Sequence, residues 1–162
     1  MSAPALREAP RAADEAGVRA LVSSTGFFTP EEVEIAAELV RETLERGEKS
    51  GYRFLFLERG DALAAYACYG LIPGTDASYD LYWIATRADL QGQGLGRSVL
   101  QATEQLIASL GGARIYVETS STPKYAPTRR FYERSGYELA ALLHDFYRRD
   151  DGKVIYCKEL AP

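Results

Sequence analysis

Gln91-Gly92-Gln93-Gly94-Leu95-Gly96-Arg97-Ser98, with glycine at three alternate positions, is the most informative run of this chain. It lies between a strand-like run ending near Thr86 and an amphipathic run from Gly94 to Leu110. That second run repeats Leu95, Val99, Leu106, Ile107 and Leu110 at helical spacing and stops at Gly111-Gly112. Alternating glycines remove side chains where backbone must approach something closely. The helix behind them presents N–H groups that its own turns cannot use, and the positive end of its dipole. Together these features predict an anion site suited to a pyrophosphate, with Arg97 and Ser98 as added donors. A plain turn ahead of a helix needs one glycine, not three.

The spacing narrows the ligand. A dinucleotide-binding loop wants glycine where Arg97 stands, and it opens a βαβ unit. Here an antiparallel hairpin comes first: a strand over Tyr52 to Leu57, a turn at Glu58-Arg59-Gly60-Asp61, and a strand from Ala62 to Leu71. A P-loop needs Gly-Lys-Ser/Thr after four spacer residues, and the chain has none.

Upstream, an extended piece near Ala5 to Glu8 precedes a helix from Asp14 that ends before Gly26. Thr29-Pro30-Glu31-Glu32 then reads as an N-cap, a proline at N1 and a capping-box glutamate. Val33, Ala36, Ala37, Val40 and Leu44 follow as the apolar face of that helix, which Gly47 stops. A third strand runs from about Tyr79 to Thr86 after the break at Pro73-Gly74. Downstream come a strand over Arg114 to Thr119 and a short helix over Pro127 to Arg134. Two strands close the chain, Tyr137 to Phe146 and Val154 to Leu160, joined by the polar turn Asp150-Asp151-Gly152. The predicted order is β-α-α-β-β-β-α-β-α-β-β, in one domain over 1–162.

Length and composition set bounds on partners. A chain of 162 residues suits a single core. A net charge of −4 supplies no global basic field for nucleic acid or an anionic membrane, although Lys124, Arg129, Arg130 and Arg134 cluster locally. No segment approaches the length needed to span a bilayer, and Met1 to Gly17 lacks the apolar core of a secretion signal. The expectation is a cytoplasmic protein without nucleic-acid or membrane partners. Cys68 and Cys157 have no metal spacing, read as small buried hydrophobes, and no metal is expected.

With Gln91, Gly94 and Gly96 in place, the loop resembles the [Q/R]-x-x-G-x-[G/A] signature of the GNAT acetyltransferase superfamily. Phe131-Tyr132-Glu133-Arg134-Ser135-Gly136-Tyr137 resembles that family's [F/L]-Y-x-x-x-G-[F/Y] motif, and the order of elements agrees along nearly the whole chain. The resemblance implies an α/β fold with a splayed mixed sheet flanked by helices, and acetyl-CoA as cosubstrate. It implies that backbone around Gly92, Gln93, Gly94, Leu95, Gly96, Arg97 and Ser98, with Gln91, holds the CoA pyrophosphate. Ile84, Ala85 and Thr86 would bond the pantetheine arm. Two departures stand out: Ala88 where many relatives place proline, and Tyr125 where many carry an asparagine that binds the cofactor arm or acceptor.

The implied reaction is acetyl transfer to an amine of a small-molecule or peptide acceptor. By resemblance the Tyr132 hydroxyl points at the CoA sulfur, and a phenol with a pKa near ~10 can protonate a thiolate of comparable basicity. Glu118 is the leading base candidate, because a lone glutamate beside Ile115-Tyr116-Val117 is costly to bury unless partnered or solvated in a cleft. Asp80 and a relaying water remain open as alternatives. Enzymes of the family that acetylate ribosomal N-terminal alanines carry a comparable glutamate, and adjacent aromatics in the last hairpin that Phe146-Tyr147 resemble. Acceptor-site candidates are the loop Thr25-Gly26-Phe27-Phe28, with Tyr66, Tyr69, Tyr79, Tyr82, Trp83 and Tyr147. His144, the sole histidine, reads as structural. A homodimer is compatible with the sequence, and a non-catalytic acyl-CoA-binding or regulatory module of the same fold is the competing class.

Overall fold

The computed structural model describes residues 4–161. Its elements are β1 (Ala5–Arg7), α1 (Asp14–Ser24), α2 (Pro30–Arg46), β2 (Arg53–Arg59), β3 (Ala62–Leu71), β4 (Ser78–Thr86) and α3 (Leu95–Ser109). They continue with β5 (Arg114–Ser120), α4 (Ala126–Arg134), β6 (Glu138–Arg148) and β7 (Asp151–Glu159). The order is the one read from the sequence. The strands make a seven-stranded mixed sheet in the order β1-β2-β3-β4-β5-β7-β6. β4 and β5 pair in parallel; β1–β2, β2–β3, β5–β7 and β6–β7 are antiparallel.

The chain divides into two compact units, and β4 and α3 each contribute residues to both. The first holds the residues up to Gly70 with Trp83–Gln105; the second holds Leu71–Tyr82 with Leu106 onward.

In the first unit α2 starts as its sequence dictates. The Thr29 hydroxyl accepts from Glu32 N at 3.1 Å, and Thr29 N donates back to Glu32 Oε1 at 3.0 Å. The apolar faces of α1 and α2 bring Val18, Leu21, Val22, Val33, Ala36 and Val40 against Phe54, Phe56, Tyr66 and Cys68 of β2 and β3. Leu44, expected on that face, is exposed, and Thr43 is buried instead. Thr43 tolerates burial because its hydroxyl donates to Leu39 O at 2.8 Å. Asp14 is also buried, since Arg7 of β1 grips both its carboxylate oxygens at 2.8 Å.

In the second unit alternate residues of three strands are buried: Tyr79 and Leu81 of β4, Ile115 and Val117 of β5, Val154 and Tyr156 of β7. Gly112 is fixed by crowding, because a Cβ there would collide with Ile107 and Tyr79. Leu110, expected on the buried face of α3, lies just past its last residue, Ser109, and is exposed. β7 begins at Asp151, so Asp151 and Gly152 are strand residues, not the turn the sequence suggested. Among the described residues no helix is long and apolar enough to cross a membrane.

The Tyr66 hydroxyl is fully buried and has no hydrogen-bond partner among the described residues. A buried hydroxyl left unpaired costs about 1–3 kcal/mol of desolvation. Tyr66→Phe is therefore expected to hold or raise stability by about 1 kcal/mol in urea unfolding. A clear loss would mean that the hydroxyl is bonded.

Candidate active site

The glycine loop belongs to the first unit. Gly92 and Gly94 both sit at φ +81°, and a Cβ on either would meet nothing within 4 Å. Backbone conformation therefore dictates glycine at both positions, and the space above them is open. The first helical bond of α3 runs from Ser98 N to Gly94 O at 3.0 Å. The amides of Leu95, Gly96 and Arg97 donate to no backbone carbonyl among the described residues. No acidic side chain stands in the first turn of α3 to use them. Outward-facing donors behind an open glycine surface fit a phosphate group.

Side chains fasten this loop. Gln91 Nε2 donates to Thr86 O at 3.2 Å, tying the loop to the end of β4. Arg59 reaches from the β2–β3 turn and donates to Gln93 Oε1 at 3.1 Å. Arg59 and Arg97 thus bring two guanidinium groups to the loop, and Arg59 meets there a neutral amide oxygen, not a carboxylate. Ala88 N donates to Ser24 Oγ at 3.2 Å, a bond that a proline at this position could not make.

The second unit carries the candidate acid and bases. The β4–β5 ladder covers only Ser78, Asp80 and the residue between them, against Arg114, Ile115 and Tyr116. Asp80 is half-buried, and burial, then the neighbouring Glu118 charge, push its carboxyl above the ordinary aspartate value; Lys153 pulls it back. Glu118, two residues beyond Tyr116, is half-exposed and accepts from Lys153 Nζ at 3.0 Å. The Lys153 ammonium also lies 4.0 Å from the centre of the Phe146 ring.

Tyr132 lies on α4 inside an aromatic cluster, with ring centroids 5.4 Å from Phe131, 5.5 Å from Tyr137 and 6.2 Å from Tyr156. It is buried and Phe131 is the more exposed of the pair. Burial drives the Tyr132 phenol well above its ordinary pKa, so it keeps its proton throughout the neutral range.

The segment after β5, where the family's asparagine is missing, is pinned by other means. Arg129 Nη1 donates to Ser120 O at 2.7 Å and to Thr122 O at 2.9 Å. Ser120 Oγ donates to the buried Asp151 at 2.6 Å, and Arg148 pairs with the same carboxylate. Ser121 Oγ accepts from Gly152 N at 2.8 Å. These bonds hold a short 3₁₀ turn, Pro123–Tyr125, ahead of α4.

The remaining candidates separate by burial. Tyr66, Tyr69 and Tyr79 are core residues, whereas Tyr82 is 38% exposed. Phe28 packs edge-on against Trp83 at 5.0 Å and against Phe27 at 5.6 Å, and both Phe28 and Trp83 rest on the core of the first unit. Phe146 and Tyr147 are exposed and in edge contact at 5.1 Å. His144 is exposed on β6. Cys68 is buried and Cys157 partly so. Among the described residues no three His, Cys, Asp or Glu side chains group as a metal site.

A mixed sheet with a glycine loop opening one helix and a tyrosine motif on a later short one is the arrangement of an acetyltransferase. Residues 19–137 match the model of the acetyltransferase (GNAT) family, and the chain belongs to it. It aligns with a GNAT-family protein from Desulfovibrio desulfuricans at 48% identity and a TM-score of 0.95, over 98% of this chain and 100% of the other. The ribosomal-protein-S18-alanine N-acetyltransferase of Escherichia coli aligns at 20% identity and a TM-score of 0.77, over 99% and 96%. An aminoglycoside 6′-N-acetyltransferase complexed with coenzyme A aligns at 20% identity and 0.79, over 98% of each chain. These last two show the shared fold. No curated protein sequence matches the chain.

Sequence reading missed Arg59, Lys153 and the Arg129–Ser120–Asp151 chain of bonds. A turn residue 34 positions from its partner gives no local sign of the contact, and a lysine in a terminal strand reads as solvated. The buried Asp151 carries a direct test. Ser120→Ala removes its hydroxyl donor and is expected to cost about 1–3 kcal/mol in urea unfolding. No change would show that this network does not hold the segment before α4.

Proposed function

We propose that the protein transfers the acetyl group of acetyl-CoA to a primary amine on a small-molecule or peptide acceptor. The observation that carries this reading is the set of unused amides at Leu95, Gly96 and Arg97, behind glycines with open space above them. In a member of this family such donors suit the CoA pyrophosphate, with Ser98, Arg97 and Arg59 adding polar or cationic contacts. Gln91 acts by holding the loop to Thr86. Ile84, Ala85 and Thr86 lie past the end of the β4–β5 ladder, and their peptide groups suit the amide-bearing pantetheine arm.

Acetyl-CoA supplies a thioester carbonyl activated toward amines. The amine nitrogen bonds to that carbonyl carbon while the carbon–sulfur bond breaks, and the departing sulfur needs a proton. Tyr132 donates it. Its raised pKa makes the phenol a weaker acid than free tyrosine, but the same burial disfavours a thiolate beside it, so the transfer stays matched. Asp80, Tyr82, Phe27, Phe28 and Tyr147 are the acceptor-side candidates.

Two variants test the reading. Gly94→Val strains a positive-φ position by roughly 1–2 kcal/mol yet meets open space, so the protein should fold while CoA affinity falls sharply in calorimetry. An unchanged affinity would remove the loop from the site. Tyr132→Phe is expected to lower kcat and kcat/KM together by about 10²–10⁴-fold. The wild-type profile should show no alkaline loss from this phenol up to about pH 10, because burial moves its titration higher. Near-normal kcat in Tyr132→Phe, with chemistry rate-limiting, would show that solvent protonates the sulfur.

A further inference from the structure

The charged side chains of β4, β5 and β7 assign roles that the sequence left open. Asp80 pairs in register with Tyr116, and Glu118 lies two residues further along β5, so both carboxylates project from one face of the sheet. Lys153 pairs in register with Ser120 on the same face, diagonal to Glu118. The residues facing this cluster are Tyr82 on β4, Tyr116 on β5, and Lys153 with Cys157 on β7. Glu138 of β6 pairs with Cys157 at its far edge.

The two carboxylates are not equivalent. Glu118 is engaged by the Lys153 ammonium at 3.0 Å, and that ammonium is itself seated on the Phe146 ring. To accept a proton, Glu118 must leave this contact. Asp80 forms no hydrogen bond or ion pair among the described residues and is half-buried, two positions before the exposed Tyr82 on β4. A half-buried carboxylate that no cation of the protein occupies is suited to an incoming ammonium.

Resting on the acetyl-transfer reading above, we propose that Asp80 accepts the proton of a primary ammonium acceptor, and that Lys153 is a positioning residue that occupies Glu118 and sets the charge facing Asp80. The acceptor arrives as R–NH3+ and gives one proton to Asp80, which frees the nitrogen lone pair. When the nitrogen–carbon bond has formed, the nitrogen loses a second proton to solvent and solvent restores the Tyr132 hydroxyl. The proton on Asp80 then leaves to solvent, so one proton is released per amide formed. Asp80 is the carboxylate left open to take a proton, since Lys153 holds Glu118 and no cation holds Asp80; burial and the Glu118 charge also raise its proton affinity above the ordinary aspartate value.

Glu118 raises the Asp80 carboxyl and Lys153 lowers it. In the free protein, a carbon-13 NMR titration of the Asp80 carboxyl should give a value above the ordinary aspartate range. Glu118→Gln should move that titration to lower pH and Lys153→Met to higher pH, with Lys153→Arg restoring the wild-type position. The acid limb of kcat/KM, measured with a primary amine at saturating acetyl-CoA, should move in the same directions. Asp80→Asn should abolish the limb and lower the rate by about 10²–10⁴-fold. Loss of the limb in Glu118→Gln, with its retention in Asp80→Asn, would make Glu118 the base and overturn the proposal. An Asp80 titration that ignores both Glu118→Gln and Lys153→Met would overturn the role of Lys153. A wild-type protein that transfers acetyl to no primary amine would overturn the function on which the proposal rests, an outcome distinct from either of these.

Discussion

A helix begins with amides that its own turns cannot satisfy, and α3 begins with nothing nearby to satisfy them. Helix α2 solves the problem locally, with Thr29 and Glu32 exchanging bonds at its first turn. Helix α3 has no acidic residue in its first turn, and its leading amides meet no carbonyl among the described residues. Such donors are costly unless water or a ligand takes them. The surrounding sequence serves this arrangement: Gly92 and Gly94 take backbone angles closed to most residues, Gln91 ties the loop to β4, and Arg59 holds Gln93. The loop is thus a rim of donors anchored to Thr86 and Arg59.

In the second unit electrostatics take over from backbone geometry. Three adjacent strands place Asp80, Glu118 and Lys153 on one sheet face, with one more negative than positive charge. The Lys153 ammonium lies between Glu118 and the Phe146 ring, which fixes a long side chain at two points. Asp80 is left without such a partner. Tyr132 contrasts with this polar group. Its ring is enclosed by Phe131, Tyr137 and Tyr156, and that enclosure keeps the phenol protonated. The proposed reaction moves protons in opposite senses, and it would draw on this difference in surroundings between the phenol and the carboxylate.

Much of the fold was legible because the signals were local. Thr29-Pro30-Glu31-Glu32 announces a helix start by residue type alone, and the short link at Gly60-Asp61 compels a hairpin. Periodicity failed where a polar residue finds an internal partner: Thr43 replaces Leu44 in the core by bonding Leu39. It also failed at Asp151, which looks like a turn residue but enters a strand because Ser120 and Arg148 bond its carboxylate. The glycine loop and Tyr132 were legible as motifs. The environments of Glu118 and Asp80 were not, since a residue's ion partner depends on strand register. Lys153 lies 35 positions from Glu118, and only the β5–β7 pairing brings them together.

Acetyl transfer to an amine is the activity that separates the proposed enzyme from a module that only binds an acyl-CoA. The most direct measurement follows free CoA thiol while the protein is mixed with acetyl-CoA and a panel of primary amines, with the acetylated amine identified by mass spectrometry. Thiol release is expected to require both the protein and a particular amine, in step with formation of its amide. Tight acetyl-CoA binding with no amine-dependent thiol release across the panel would contradict it.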